Sequence, residues 1–438
     1  GVADAVRTIK ASLERAATDV VEDGPETVCG VEECRLSEMG SVGRVYPGGE
    51  TTCIFGAPFA FDVYKGSRSE VFFYFEGGGA CWDYATTFLD PLCTTSVGKP
   101  VKVGIFDKTH PRNPFRDTTI VNVRYCSGDS HVGNATSRGL LRTATQVGIA
   151  NARSALEWVR RQQALGELET ELDLLVVGGA SAGSIGAQIW AQNVSRALPS
   201  KSTALLFDSY VGVLNFESQL FQGLGTCSFL PTQDLRERCF RGDLTLDDVT
   251  AAQLSALPDA AVASILSKED AVQISYYDAL QVFRPRPEAA EETGAPLFIS
   301  PAAFYDDAQR ILQRYTYGAP DRPAGDAVAF VVDGDKHTYL PETYLYDTVV
   351  LDGPRLLNNE DSSGNSTRAV PLTQWIADLV STDHSEEVPS SCEVCAGPRI
   401  PLPAPGHATS TTYCDVDLDH RCATLPPSSS EGGAVVLL

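Results

Sequence analysis

An α/β fold, with a mostly parallel central sheet and helices on both faces, is predicted by three observations in this 438-residue sequence. Strand-like apolar runs at 71–75, 118–125, 172–177, 204–207, 296–300 and 327–332 alternate with helical patterns at 146–165, 184–198 and 372–380, an order that builds parallel strands with crossover helices. Gly179-Ala180-Ser181-Ala182-Gly183 stands between the apolar run Leu174-Leu175-Val176-Val177 and the second of those helices. Strand, sharp turn and helix in that order expose a serine hydroxyl at the edge of a sheet. Finally, three glycines, Gly77-Gly78-Gly79, follow the strand-like run 71–75, where a backbone free of Cβ atoms can turn its N–H groups inward.

Taken in order, the chain begins with apolar residues Val2, Val6, Ile9, Leu13, Ala17 and Val20 at three- and four-residue spacing, an amphipathic helix over 2–21. Its charged face has no basic rim, so docking on the main domain is expected rather than membrane contact. Residues 22–52 read as an irregular connector, and 1–52 form an N-terminal helix and connector unit. The catalytic unit spans 53–383, opening with a strand-like run at 53–64 that fits an antiparallel start to the sheet. Within it, 211–292 turns helical and irregular and contains Cys227 and Cys239, spaced to close a short loop. An insertion there, before the next predicted strand at 296–300, is expected to act as a lid or pocket wall. The last stretch, 384–438, is a Pro- and Ser-rich tail with Cys392, Cys395, Cys414 and Cys422. Seven residues separate the second pair, which suits disulfides better than a zinc site.

The twelve cysteines are even in number and lack metal spacing, which points to an oxidising compartment and a secreted protein. The sequons at Asn134, Asn193 and Asn365 agree as candidate glycosylation sites. The chain starts Gly1-Val2-Ala3 with no apolar leader, so a leader is expected to have been removed or left out. No run approaches the roughly 20 apolar residues of a membrane span. A formal net charge of −23 excludes nucleic acid held by bulk charge. A monomer acting on an ester substrate, with no cofactor and no metal, is the expectation.

A serine hydroxyl is a weak nucleophile and needs a base within hydrogen-bond reach, with a carboxylate to orient that base. In α/β-hydrolases the chain order is Ser, acid, His, with the histidine just beyond the last strand. Of the six histidines, His337 in Val332-Asp333-Gly334-Asp335-Lys336-His337 fits that place; His110 precedes a proline, His131 follows an earlier strand, and His384, His407 and His420 lie in or beside the tail. For the acid the same order points to Tyr305-Asp306-Asp307-Ala308-Gln309, with Asp306 preferred, Asp307 its rival and Asp208 a further candidate. Ala182, after the nucleophile, supplies one oxyanion donor and the Gly77–Gly79 turn supplies the other. That turn lacks the following Lys-Ser/Thr of a phosphate cradle.

Several segments in order, Phe73-Tyr74-Phe75-Glu76-Gly77-Gly78-Gly79-Ala80-Cys81-Trp82, Asn113-Pro114-Phe115, Tyr125-Cys126-Ser127-Gly128-Asp129-Ser130-His131-Val132-Gly133, the Ser181 elbow and Phe207-Asp208-Ser209, resemble the pectin acetylesterase and Notum family. The resemblance runs over about 53–383. It implies a secreted α/β-hydrolase-like serine carboxylesterase that removes O-acyl groups, acetyl above all, with the nucleophile on Ser181, the acid on Asp306, the base on His337 and the oxyanion donors on Gly78, Gly79 and Ala182. The chain departs from the family pattern at Ser184, where the family has Gly, at Ala80, where it has an aromatic, and at Asp333-Gly334-Asp335-Lys336, where it has a Cys-bearing segment. Lipase, polyester hydrolase and protein deacylase chemistry remain open on the same scaffold, as does a non-catalytic binding protein. Arg124, Arg138 and Arg142 are the residues that would have to offset the acidic field for a polyanionic substrate such as pectin.

Overall fold

The computed structural model describes residues 2–18, 24–214, 217–282, 298–317, 327–352 and 368–381, together with 412–413 and 423–424. Helix α1 (Val2–Thr18) is followed by β1 (Thr27–Gly30), β2 (Val42–Tyr46), β3 (Phe61–Tyr64), β4 (Glu70–Phe75) and β5 (Thr119–Val123). A small hairpin, β6 (Ala135–Arg138) and β7 (Thr143–Gln146), precedes α2 (Gly148–Ala164), β8 (Leu172–Ala180), α3 (Ala182–Ala197) and β9 (Ser200–Asp208). Three helices come next: α4 (Glu217–Gly223), α5 (Gln233–Arg241) and α6 (Leu246–Ala256). They lead to β10 (Ala261–Ser267), α7 (Ala271–Val282), α8 (Pro301–Tyr317) and β11 (Ala327–Val332). A short pair, β12 (Val349–Asp352) and β13 (Arg368–Pro371), leads into α9 (Leu372–Val380).

Nine strands form one sheet in the order β1-β2-β3-β5-β4-β8-β9-β10-β11. From β5 to β11 neighbouring strands run parallel, whereas β3 is antiparallel to both β2 and β5. Alternation with period two divides each strand between two cores. Val71, Phe73 and Phe75 pack on one face beside Val121, Val177 and Phe207; Phe72 and Tyr74 pack on the other beside Ile120, Val176 and Leu206. The first core is closed by Trp158 of α2 and Trp190 of α3, the second by Trp375 of α9. This is the α/β-hydrolase-like architecture expected from the sequence.

Three boundaries differ from expectation. Residues 22–52, read as a connector, contribute β1 and β2 to the sheet edge; these strands are short and hold Gly30 and Gly43, so they carry little apolar signal. The stretch 298–300 is not a strand but leads into α8, while 296–297 lie outside the described residues. The strand that the order requires before β11 is β10, inside the 211–292 segment. Its sequence, Ala-Val-Ala-Ser-Ile-Leu-Ser, is small and weakly apolar, yet six of its seven residues are buried, because neighbours cover it on both faces. The tail 384–438, apart from a two-residue pairing of 412–413 with 423–424, lies outside the described residues, as do Asn365, His384, His407, His420 and its four cysteines.

Four disulfides link the described cysteines: Cys29–Cys34, Cys53–Cys126, Cys81–Cys93 and Cys227–Cys239. Cys53–Cys126 spans 73 residues and joins the segment before β3 to the one after β5. Closing so long a loop restricts the unfolded chain strongly. The Cys53→Ala/Cys126→Ala pair is expected to lower unfolding free energy by about 2–5 kcal/mol, read from guanidinium unfolding; an unmoved midpoint would mean that β-sheet pairing alone secures this edge. No helix among the described residues is long and apolar enough to cross a membrane.

Candidate active site

The site lies at the carboxyl ends of β4, β8, β9, β10 and β11, beside the point where strand order reverses around β4. Open parallel sheets bind ligands at such a crevice. Phe75 pairs with Gly179, so β4 and β8 end side by side and deliver the Gly77–Gly79 turn next to Ser181. The serine has φ 56° and ψ −123°, a conformation costly for a residue with a Cβ. Its N–H donates to the Asp208 carbonyl (2.9 Å), and α3 begins at once behind it. The tight crossing depends on the flanking glycines: a Cβ at Gly183 would overlap the Phe75 carbonyl oxygen, and one at Gly179 the Gly183 carbonyl oxygen.

His337 and an aspartate meet beside this turn, but the aspartate is Asp270. His337 Nδ1 lies 2.8 Å from Asp270 Oδ2 and 3.0 Å from Oδ1. The loops after β10 and β11 are laced together: Lys268 N–H donates to the Val332 carbonyl, Glu269 N–H to Gly334 and Ala271 N–H to Asp335. Asp270 is fully buried and also accepts the N–H groups of Val272 and Gln273 and the Gln273 side-chain amide. A carboxylate only accepts, so His337 Nδ1 carries the hydrogen, leaving Nε2 of the neutral ring as a base. Burial depresses the imidazole pKa, but the Asp270 charge and hydrogen bond outweigh it and hold the value above the ordinary 6.5.

Asp306, the acid expected from the sequence, is exposed on α8, and its neighbour Asp307 pairs with Arg310; neither faces His337. The carboxylate set against His337 is that of Asp270, not Asp306. Both aspartates begin an Asp-x-x-Gln run, Asp270-Ala271-Val272-Gln273 and Asp306-Asp307-Ala308-Gln309, and only the strand in front tells them apart. Asp208, the further candidate, has another task. Its Oδ2 accepts the N–H groups of Tyr339 and Leu340, both at 2.7 Å, and its Oδ1 accepts the Ser209 hydroxyl. Ser209 Oγ in turn accepts Thr338 N–H (2.8 Å). Burial raises the Asp208 pKa to about 6 against the pull of these bonds.

Among the expected oxyanion donors, Gly79 and Ala182 line the same pocket as Ser181 and His337, whereas Gly78 is not part of that lining. Ala182 N–H belongs to the first turn of α3, where a helix has no internal acceptor to offer. The Gly77–Gly79 turn is held from both sides. Gly78 carbonyl accepts Thr94 N–H and Ala80 N–H donates to the Leu92 carbonyl, next to the Cys81–Cys93 bridge. Behind the turn, His131 Nε2 lies 2.8 Å from the Glu76 carbonyl, and burial lowers its pKa to about 4; it is therefore a neutral donor. Arg124 is buried in ion pairs with Asp62 and Glu76, which removes it from any surface basic patch.

Comparison with known proteins fits this geometry. Residues 47–211, from before β3 to just past β9, match the family model described as Pectinacetylesterase. Over that stretch, less than half of its length, the chain is similar to the pectin acetylesterase family. The match supports a serine carboxylic-ester hydrolase. Among solved structures, the Wnt deacylase Notum from Drosophila is 15% identical, covers 70% of this chain and 88% of its own, and superposes with a TM-score of 0.47. No curated protein sequence gives a significant match.

The pocket at this site opens to solvent and is lined almost wholly by apolar atoms. Its floor is the Ser181 turn, and its walls come largely from the segment expected to form a lid. Leu214, Leu220, Phe221, Leu224 and Leu246 arise there, before, within and after α4 and at the start of α6. Gln273, Tyr276 and Leu280 of α7 close another side. Residues 215–216 and 283–292 of that segment lie outside the described residues. The departure at Ser184 is buried: its hydroxyl donates to the Tyr210 carbonyl (3.0 Å), tying α3 to the loop after β9. Of the sequons, Asn134 is exposed beside β6 while Asn193 sits half-buried within α3. No group of three or more His, Cys, Asp or Glu arranged to hold a metal occurs among the described residues.

Proposed function

We propose that the protein is a secreted serine carboxylesterase whose pocket takes an apolar acyl group longer than acetyl. The observation that carries this reading is the leucine- and aromatic-lined cavity directly above Ser181. An acetyl group would leave most of that apolar surface unfilled, and burying each methylene of a longer chain contributes about 0.8 kcal/mol. In the proposed mechanism His337 Nε2 takes the Ser181 proton as Oγ attacks the ester carbonyl, while N–H groups of Ala182 and the Gly77–Gly79 turn receive the developing oxyanion. Collapse expels the alcohol, which takes the proton from His337, and leaves an acyl-serine. Water activated by the same imidazole then releases the acid. Asp270 keeps the ring in the tautomer that both halves need.

The second reading, removal of acetyl from a polysaccharide, is favoured by the family match over 47–211. A series of p-nitrophenyl esters separates the two. kcat/KM is expected to rise by about 10²-fold or more from acetate to octanoate; equal or better hydrolysis of acetate would replace the first reading by the second. The four disulfides support a secreted protein, and Asn134 is the sequon best placed to carry a glycan.

A further inference from the structure

We infer that the β6–β7 hairpin is a docking tip by which the esterase settles on a zwitterionic phospholipid surface, with its pocket facing the lipid. The hairpin pairs Arg138 with Thr143 and turns through Gly139, Leu140, Leu141 and Arg142. Leu140 is 87% exposed and Leu141 95% exposed. Polar or glycine residues suit the tip of such a turn, and two leucines held out in water have no packing role there. Beside them the short helix Ala85–Leu89 presents Leu89, 71% exposed, and its cap residue Tyr84 is 49% exposed. Gly139 packs so close to Phe88 that a Cβ would overlap its ring, and the Arg142 guanidinium stacks over Phe55 at 3.5 Å from the ring centroid. Tip and helix thus form one convex apolar surface.

Its shape and charge choose the occupant. A protein partner of ordinary size needs roughly 800 Å² of complementary surface per side, whereas a narrow projecting tip is suited to sinking into a soft interface. Exposed Arg138 and Arg142 bracket the leucines at the depth of headgroup phosphates while the leucines enter the acyl region. The net charge of −23 opposes a strongly anionic membrane, so the zwitterionic surface is the one that fits. The base of the hairpin is joined to the pocket wall. Gln146 donates its side-chain amide to the Cys81 carbonyl (2.7 Å) and the Gly128 carbonyl (3.2 Å), and Asn134 N–H donates to the Leu224 carbonyl (2.7 Å). Cys81, Gly128 and Leu224 all line the pocket.

The inference draws on the reading of the pocket as an acyl site, but its test needs no turnover on lipid. The full chain is expected to co-sediment with phosphatidylcholine vesicles, and the Leu140→Ser/Leu141→Ser variant to bind at least about 10-fold more weakly, with hydrolysis of a dissolved short-chain p-nitrophenyl ester unchanged. Leu141→Trp provides an independent readout: its emission is expected to shift to shorter wavelength when the same vesicles are added, beyond any change in wild type. Wild type that stays in the supernatant, a double variant that binds as wild type, or an unshifted tryptophan overturns the inference. None of these outcomes alters the ester series that tests the catalytic reading.

Discussion

Asp270→Asn is expected to lower kcat by about 10⁴-fold, whereas Asp306→Asn leaves it within about twofold of wild type. An asparagine keeps the shape at 270 but presents either an amide donor or a neutral oxygen to His337 Nδ1. The first turns the ring to the wrong tautomer, with Nε2 protonated and useless as a base; the second no longer stabilises the imidazolium formed during attack. Hydrolysis as a function of pH gives a second measurement. The base works when neutral, so activity rises with pH through the His337 pKa, which Asp270 holds above 6.5. Removing that charge lowers the pKa, and the residual activity of Asp270→Asn should have its acid limb at lower pH than wild type. Equal losses at 270 and 306, or a loss at 306 alone, would return the role of acid to α8.

Ser181→Ala is expected to remove about 10⁴-fold or more of the esterase rate and all labelling by a fluorophosphonate. The substitution deletes one oxygen at the half-buried floor of the pocket, so the fold should persist. Relief of the φ 56° conformation is not gained, since alanine also carries a Cβ. A stable, unlabelled and inactive variant is therefore the signature of a lost nucleophile rather than a lost structure. Labelling that persists in Ser181→Ala would place the reactive serine elsewhere, and unimpaired turnover would remove the acyl-serine mechanism.

The fold was legible where local pattern and tertiary demand agree. β4, β8 and β11 carry apolar runs at 71–75, 174–177 and 327–332 because helices cover both faces of the sheet, and α3 follows the Ser181 turn as the elbow pattern demands. His337 was legible for the same reason, as the histidine next after β11. Asp270 was not. Its strand, β10, is built from alanine, serine and a few branched residues, and it is a strand because β9 and β11 flank it. A run at 296–300 with stronger β character drew the order one step too late, and Asp306 behind it carried the same Asp-x-x-Gln spacing. The signal that distinguishes them is the length of chain needed for a crossover. Between β10 and β11 the helices α7 and α8 intervene, while no further strand separates 298–300 from α8. The apolar pocket was not legible either, because its leucines lie in and around α4, at the start of α6 and on α7, where packing, not periodicity, turns them toward Ser181.

Asp208 gives the site a property that its separate bonds do not express. Its carbonyl holds the amide of Ser181, and its carboxylate holds the loop that carries His337. One residue at the end of one central strand therefore ties the positions of serine and histidine together, through bonds that α4, α5 and α6 do not supply. The wall is free to be rebuilt for a different acyl group while the reacting atoms keep their alignment, so changes in substrate and preservation of chemistry can proceed as separate events in the history of such an enzyme.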